Sequence, residues 1–256
     1  MVQSYSVNNN LKSNNMRSRV FTILFLVGLL GCISLRAQSP IPNNWNAEQI
    51  KGTRHISYPV AFGQPYLTDK FISGEIELVG GVVIKDLRLR YSSYRDQLIY
   101  YNPEISAQIA IDKISLKGFT LIELSGTKRI FRQLYFKGYD AGNRFFEILD
   151  EGETSLVVYR RVVMETCPPY MDVTGKLNNT AYREAYNYYL YLPSGEFEIV
   201  HINRKSLLSK FNTAYQKQVK KILRKNRIKI QDETSFVQAW KLIPNKNKEL
   251  ICLLNH

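Results

Sequence analysis

Seven lysine and arginine side chains lie within thirteen residues near the end of this 256-residue chain, with no aspartate or glutamate among them. They are Lys217, Lys220, Lys221, Arg224, Lys225, Arg227 and Lys229. Val219, Ile222 and Leu223 stand between them at the spacing of one face of a helix. Cations on such a helix attract anionic headgroups, with about 1 kcal/mol for each side chain that reaches the surface. The pattern predicts either an anion-binding face or a solvated outer face of a packed helix.

The positive charge of the chain is concentrated in its last quarter. Residues 201–256 carry 13 Lys and Arg against three Asp and Glu, whereas residues 38–200 carry 18 against 19. The whole chain has a net charge of +13. This asymmetry indicates a polyanionic partner, and we expect an anionic membrane surface, lipopolysaccharide or another envelope protein. Nucleic acid is the least expected partner, because the chain begins with an export signal, described below.

Histidine and cysteine offer few combinations that do chemistry. The three histidines, His55, His201 and His256, do not form a two-histidine metal motif, so we predict no metal site. Cys167 could act as a nucleophile with His201 as its base. The alternatives are a disulfide between Cys167 and Cys252, worth about 4 kcal/mol in the chain-entropy model, or two unpaired buried thiols.

Carboxylates occur in three small clusters. Two carboxyl groups held about 5–9 Å apart can hydrolyse a glycosidic bond. The clusters are Asp150, Glu151 and Glu153; Glu75 and Glu77; and Glu196 and Glu198. They fall at turns or on alternating strand faces, where solvent exposure accounts for them. The sequence contains no nucleophile elbow, P-loop or dinucleotide fingerprint, so we predict no catalytic residue and no cofactor.

Tyrosine is abundant, with 17 residues, and five of them lie close together. These are Tyr182, Tyr186, Tyr188, Tyr189 and Tyr191. An exposed row of rings could stack on sugars. The alternative is that the rings fill the two faces of a strand, since aromatic side chains fit pleated surfaces and pack across strands.

The first part of the chain has the pattern of β-strands, and these strands would position most of the cysteine, carboxylate and tyrosine side chains named above. Leu87, Leu89 and Tyr91 alternate with Arg88 and Arg90, which predicts a half-buried strand. Turn residues recur every 8–12 positions from residue 71 onward, as in antiparallel sheets that curl toward a barrel or sandwich. We expect a longer strand over 154–165 that Cys167-Pro168-Pro169 stops, a loop over 176–181, and a hairpin of strands 182–192 and 196–202.

The hydrophobic period changes after residue 203. Residues 206–215 and 216–228 predict a helix pair, or one helix bent near Asn212, and 236–243 predict a further helix that Asp232 caps. The expected fold class is α+β, mainly β: an antiparallel curved sheet or partly closed barrel followed by two or three C-terminal helices. The expected domains are an extended segment over 38–70, the β domain over 71–203 and the basic helical segment over 204–256.

The first 37 residues resemble a secretory signal peptide. Arg17 and Arg19 precede an apolar run over 20–33 that is too short to span a bilayer, and Met16 is the start that we expect. Ala37-Gln38 resembles an ordinary cleavage junction. The alternative is the lipobox that ends at Cys32, which would make Cys32 a lipidated residue. We therefore expect export to the periplasm or cell surface of a Gram-negative bacterium.

The pattern FxxGxIxL, LRLRYSSYRDQLIYY and RFFEILDEGETSLVVYRR runs from residue 71 to residue 161. It resembles uncharacterised exported β-rich proteins of Bacteroidota over most of the mature chain. The resemblance implies a periplasmic or cell-surface setting and no particular activity. The sequence leads to two hypotheses: a non-catalytic envelope protein that binds or scaffolds, or a periplasmic or secreted hydrolase that acts on glycans or peptides.

Overall fold

The computed structural model describes residues 50–138, 141–244 and Leu250. Its strands are β1 Gly52–Arg54, β2 Ile72–Leu78, β3 Val83–Ser92, β4 Gln97–Asn102, β5 Ala107–Ile111, β6 Leu116–Ile122, β7 Lys128–Phe136, β8 Gly142–Asp150, β9 Ser155–Met171, β10 Leu177–Tyr191 and β11 Phe197–Val200. Its α-helices are α1 Arg204–Ser209, α2 Thr213–Lys225 and α3 Glu233–Lys241.

All eleven strands belong to one antiparallel sheet in the order β1-β5-β4-β3-β2-β6-β7-β8-β9-β10-β11. The chain meanders from β2 to β5, resumes at β6 on the other side of β2, and meanders again to β11. The sheet is open, and helices follow it. The predicted fold class, a mainly antiparallel sheet with C-terminal helices, is confirmed.

Alternation along β3 places its apolar side chains in the core. Leu87, Leu89 and Tyr91 are buried, whereas Arg88 is exposed, as the period of two predicts. The Tyr91 ring packs on Phe119 of β6 and Phe131 of β7, and the last two rings stack with centroids 4.5 Å apart. Aromatic pairs of this kind stabilise the core beyond the area that they bury.

The hairpin of β9 and β10 is longer than predicted. It pairs continuously from Ser155 opposite Tyr191 to Met171 opposite Leu177, apart from one register irregularity at Asn178. The predicted stop at Pro168-Pro169 and the predicted loop over 176–181 are therefore wrong. The prolines lie within that irregularity, where residues 167–169 have no pairing partner, and β8 pairs with β9 only nearer its start. No ladder there therefore needs the missing N–H groups. We call residues 163–184 the arm.

An extended strap, residues 55–68, crosses from the β5 side of the sheet to the arm. The N–H of His55 donates to Gln108 of the β4–β5 hairpin, and Phe62 forms a parallel bridge to Ala181 of β10. The Asn178 side chain donates to the carbonyl of Val60 at 2.6 Å. The strap joins distant strands of the curved sheet.

The three helices pack together over the beginning of β9 and the end of β10. Their buried cluster includes Phe211, Val219 and Trp240, and it continues onto Leu156 and Leu190 of the sheet. We call this the helix cluster. The first two helices are separate, so of the two predicted alternatives the helix pair is confirmed and the single bent helix is wrong. The second helix begins at Thr213, earlier than the predicted residue 216, because the Asn212 side chain accepts from the N–H of Tyr215 at 2.9 Å. Asp232 caps α3 as predicted, in a capping box with Ser235.

Candidate functional site

The seven predicted cations form one exposed surface, which we call the basic face. Five of them lie on α2 and two follow its end, and all seven are exposed. They are Lys217, Lys220, Lys221, Arg224, Lys225, Arg227 and Lys229. Because residues three and four apart share a side of a helix, Lys217, Lys220, Lys221 and Arg224 point the same way. The structure therefore gathers these charges where a large partner can reach them.

The opposite side of α2 is used by the core. Tyr215, Val219 and Leu223 are 6%, 0% and 2% exposed and belong to the helix cluster. Ile228 and Ile230, which follow the helix, pack against the same cluster. Val219 and Leu223 of the predicted apolar stripe are thus packing residues that are not available to enter a lipid phase, whereas Ile222 of the same stripe is half-buried.

Carboxylates do not neutralise the basic face within the described part of the chain. None of its seven cations forms an ion pair there. The nearby acidic groups of the sequence are engaged elsewhere: Asp232 caps α3, Glu233 binds Arg160, and Glu198 pairs with Lys210. The charge of the face is therefore directed to solvent.

A buried network fixes the helix cluster on the sheet. Arg160 of β9 donates through Nε to Glu147 at 2.6 Å and through its two terminal nitrogens to Glu233 at 2.7 and 2.8 Å. Arg129 makes a bidentate pair with the same Glu147, at 2.8 and 2.7 Å. The hydroxyl of Tyr188 donates to Glu233 at 2.8 Å. Two guanidinium groups and two carboxylates thus satisfy one another beneath α3.

The environment of this network shifts the pKa values of its members. Burial acts to raise the pKa of Glu233, but hydrogen bonds and charge from Arg160 outweigh it and hold that pKa below its ordinary value. Burial, followed by the hydrogen bond and charge of Glu233, raises the pKa of the Tyr188 hydroxyl. Burial and the charge of Glu184 raise the pKa of Tyr186 to about 12. Glu233 is therefore ionised and both tyrosines are neutral near neutral pH.

Asp96 forms a second buried polar site, which the sequence did not indicate. It accepts from the Tyr91 hydroxyl at 2.6 Å and the N–H of Phe145 at 3.2 Å, and it also binds Lys113. Burial raises the pKa of Asp96, although the charge of Lys113 opposes this. Asp96 has a φ of 50°, in the left-handed region that Asp tolerates better than most residues. Donors from three elements surround its carboxylate, so its evident role is to join them.

A group of aromatic side chains lies under the strap. The Tyr58 ring contacts His55, Tyr66 and Tyr94, and Arg90 lies 3.6 Å above the centroid of Tyr66. His55 Nε2 lies 3.0 Å from the Tyr66 hydroxyl oxygen, and burial together with Arg90 lowers the pKa of His55. The sequence patterns predict no candidate site within residues 38–70, and the pairs Tyr58-Pro59 and Pro65-Tyr66 are the signal that could have found this group.

Three clefts of about 310, 390 and 440 Å³ open beside the strap and the β3–β4 turn. Arg95 and Asp96 line the two larger clefts, which also contain Lys113 and Arg161 respectively. Among the lining residues cations outnumber carboxylates. The clefts do not bring together the paired carboxylates or the Cys–His couple that a hydrolase of the predicted kind requires.

The remaining predicted groups are scattered over the described residues. Cys167 is half-buried and lies beside Thr166, which pairs with Thr180, whereas the residue before the exposed His201 pairs with Tyr188. Eight residues of β10 separate these positions, about 26 Å at the rise of a strand. The nucleophile–base couple of Cys167 and His201 is therefore wrong.

The predicted carboxylates either have structural partners or are exposed, and the tyrosines pack on the faces of β10. Glu77 binds Lys117, Glu198 pairs with Lys210, and Glu151, Glu153 and Glu196 are exposed. Among the described residues no group of three or more His, Cys, Asp or Glu could hold a metal. The tyrosines of β10 fill both strand faces: Tyr186 lies against Arg160, and Tyr189 and Tyr191 pack on Phe197. These five tyrosines therefore do not form an open platform.

Residues 1–49, 139–140, 245–249 and 251–256 lie outside the described part of the chain. The predicted signal peptide, the lipidation of Cys32, the disulfide partner Cys252 and His256 fall among them. Within the described residues no helix combines the length and apolarity needed to cross a membrane. The chain matches no protein-family model, no curated protein and no solved structure. The resemblance to exported Bacteroidota proteins stays a prediction.

Proposed function

We propose that this chain is an exported cell-envelope protein that binds or scaffolds without catalysis, and that its basic face contacts an anionic membrane surface, lipopolysaccharide or an acidic envelope protein. One observation carries the proposal. Seven cations are exposed together on and after α2, and the described carboxylates leave them unneutralised. Such a surface attracts polyanions over distances of about 8–10 Å at physiological ionic strength.

Two further features support a binding role over the hydrolase alternative. The network of Arg160 and Glu233 holds the helix cluster on the sheet, so the basic face is presented by a fixed scaffold. The residues behind the hydrolase hypothesis do not converge: Cys167 and His201 lie apart, and the carboxylate clusters contain groups that are exposed or have structural partners. An active site usually brings titratable side chains with shifted pKa values together in one cleft.

The test is sedimentation of residues 38–256, which include every described residue, with anionic and with neutral lipid vesicles over a salt series. We expect binding to anionic vesicles only, and we expect it to weaken as salt rises. Replacing Lys220, Lys221, Arg224 and Lys225 by Glu should abolish it. The matched control replaces four exposed cations elsewhere, Lys85, Lys128, Lys176 and Arg183, by Glu.

Both variants have the same net charge, so only a local role of the basic face predicts different behaviour. Equal loss of binding in the two variants would assign the effect to net charge alone. No binding of the unmodified protein to either vesicle would contradict the membrane-surface and lipopolysaccharide forms of the proposal.

A further inference from the structure

The end of α2 has the hydrogen bonds of a Schellman turn. The N–H of Ile228 donates to the carbonyl of Leu223 at 3.0 Å, and the N–H of Arg227 donates to that of Arg224 at 3.1 Å. Ile228 and Leu223 both pack in the helix cluster, which supplies the apolar contact that accompanies this turn. Arg227 occupies the position at which the chain must turn to positive φ, and its φ is 55°.

Glycine is the residue that this position favours, because a side chain with a Cβ is strained there. Among the described residues, the other non-glycine residues at positive φ are Asp86, Asp96 and Ser106, whose short polar side chains tolerate this region better than a long one. Arg227 differs from them in carrying a long charged side chain. Strain kept at an exposed position points to a use for the side chain.

The helix dipole does not require a cation at Arg227. Cations in the last turn of a helix are favourable, but Arg224 and Lys225 already occupy that turn of α2. Neither an ion pair nor a hydrogen bond of the Arg227 side chain is found among the described residues. Beyond this general attraction, the described residues give the Arg227 side chain no contact that glycine at this position would lose.

The chemistry of the whole basic face suits phosphate groups. Ammonium groups and guanidinium forks both bind phosphate oxygens with charge-assisted hydrogen bonds. Val219 and Leu223 of α2 and Ile228 of the turn pack in the helix cluster, with Val219 fully buried and Ile228 partly so, and Ile222 is half-buried. We therefore expect contact with a membrane to stay at its headgroups, because this segment exposes cations and no fully exposed large apolar side chain.

We propose, building on the proposed function, that Arg227 is a binding residue of the basic face and contacts the phosphate groups of an anionic lipid surface. An arginine occupies this position, which favours glycine, because a cation there extends the basic face beyond the end of α2. The protein lies on the headgroups and does not insert.

The experiment measures partition of residues 38–256 onto vesicles that contain an anionic phospholipid, together with the melting temperature of each variant. Arg227→Gly and Arg227→Asn both remove the charge and suit the left-handed conformation. We expect each to lower the partition coefficient about fivefold, as one cation at a membrane surface contributes. We expect no fall in melting temperature for Arg227→Gly, and Arg227→Lys should retain most of the binding.

The matched control is Lys176→Gly, which removes one exposed cation at the far end of the arm and should leave partition nearly unchanged. A lipid monolayer of the same composition should show no rise in surface pressure on binding. If the unmodified protein binds and Arg227→Gly and Arg227→Asn bind equally well, Arg227 is not a binding residue. A clear rise in surface pressure overturns the headgroup-only contact, and full competition by inorganic phosphate at the vesicle phosphate concentration overturns the lipid surface as ligand. Failure of the unmodified protein to bind contradicts the proposed function itself.

Discussion

The two terminal nitrogens of Arg160 donate to the two carboxylate oxygens of Glu233, at 2.7 and 2.8 Å. One partner lies on β9 and the other in the first turn of α3, so this fork joins the sheet to the helix cluster. Bidentate pairs fix orientation as well as distance. The direction in which α2 presents its basic face is therefore set in part by a contact on a different helix.

The carboxylate of Glu147 binds both guanidinium groups of this network, so removal of its charge should lower the stability of the protein. Glu147→Gln leaves Arg129 and Arg160 buried with one carboxylate fewer. We expect the free energy of unfolding to fall by about 3 kcal/mol, as for other buried ion pairs that lose one partner. Urea unfolding at pH 7 measures the change.

Glu123→Gln is the control for this substitution. Glu123 also approaches Arg129, at 3.6 Å, but its side chain is 38% exposed. Exposed pairs contribute about 0–1 kcal/mol, so the effect should be small. Similar losses in the two variants would show that the network gains nothing from its burial.

Acid should weaken the attachment of the helix cluster through Glu233. Its pKa is held below the ordinary value by Arg160 despite burial, so its stabilisation is present above about pH 4.3 and is lost as pH falls through the lowered pKa. Unfolding free energies measured from pH 7 to pH 3 should fall more steeply for the unmodified protein than for Glu233→Gln. Fluorescence of Trp240, in a Trp45→Phe background, reports on the helix cluster directly. If the free energy of unfolding depends on pH in the same way in the two proteins, the prediction is wrong.

Lys113 should stabilise the buried carboxylate of Asp96. In Lys113→Met, Asp96 loses its nearest cation, and we expect a loss of about 2–3 kcal/mol at pH 7, since Lys113 is 24% exposed. Burial already raises the pKa of Asp96, and the substitution raises it further. Protonation of Asp96 should therefore relieve the defect, and the loss measured at pH 4 should be smaller than at pH 7. Lys117→Met, which breaks the exposed pair with Glu77, should cost less than about 1 kcal/mol at both pH values.

Two leucines on the same strand should differ sharply in their contribution to stability. Leu190 is fully buried in the helix cluster, whereas Leu177, at the arm tip, is 65% exposed. Leu190→Ala should lower the free energy of unfolding by about 2–5 kcal/mol. Leu177→Ala should change it by less than about 0.5 kcal/mol. A large loss from Leu177→Ala would mean that the arm tip is covered in solution.

The sequence predicted features that depend on local periodicity. The alternation of Leu87 with Arg88 predicts the face of β3, and the cap Asp232 predicts the start of α3, because these signals lie within a few residues of their effect. The basic face was also predicted, since neighbours on a helix are close in sequence.

The parts that sequence analysis missed depend on contacts between distant residues. Nothing local distinguishes Asp96 or Glu233 from exposed acids, because their partners Lys113 and Arg160 are brought to them by strand register. The prediction that Pro168 ends β9 is wrong, because a proline stops a strand only where a neighbouring strand needs the N–H group. The open order of the sheet, with β6 beside β2, is likewise a result of tertiary packing.

The paired strands β9 and β10 set the distance between the helix cluster and the tip of the arm. Apart from the irregularity at Asn178, their ladder runs from Ser155, at the helix cluster, to Met171, at the arm tip, a length of about 50 Å for 16 residue steps. Because side chains alternate across a strand, adding or removing two residues in each strand shifts the tip by about 7 Å and keeps every face in place. The reach of the molecule can therefore change without any change to its core.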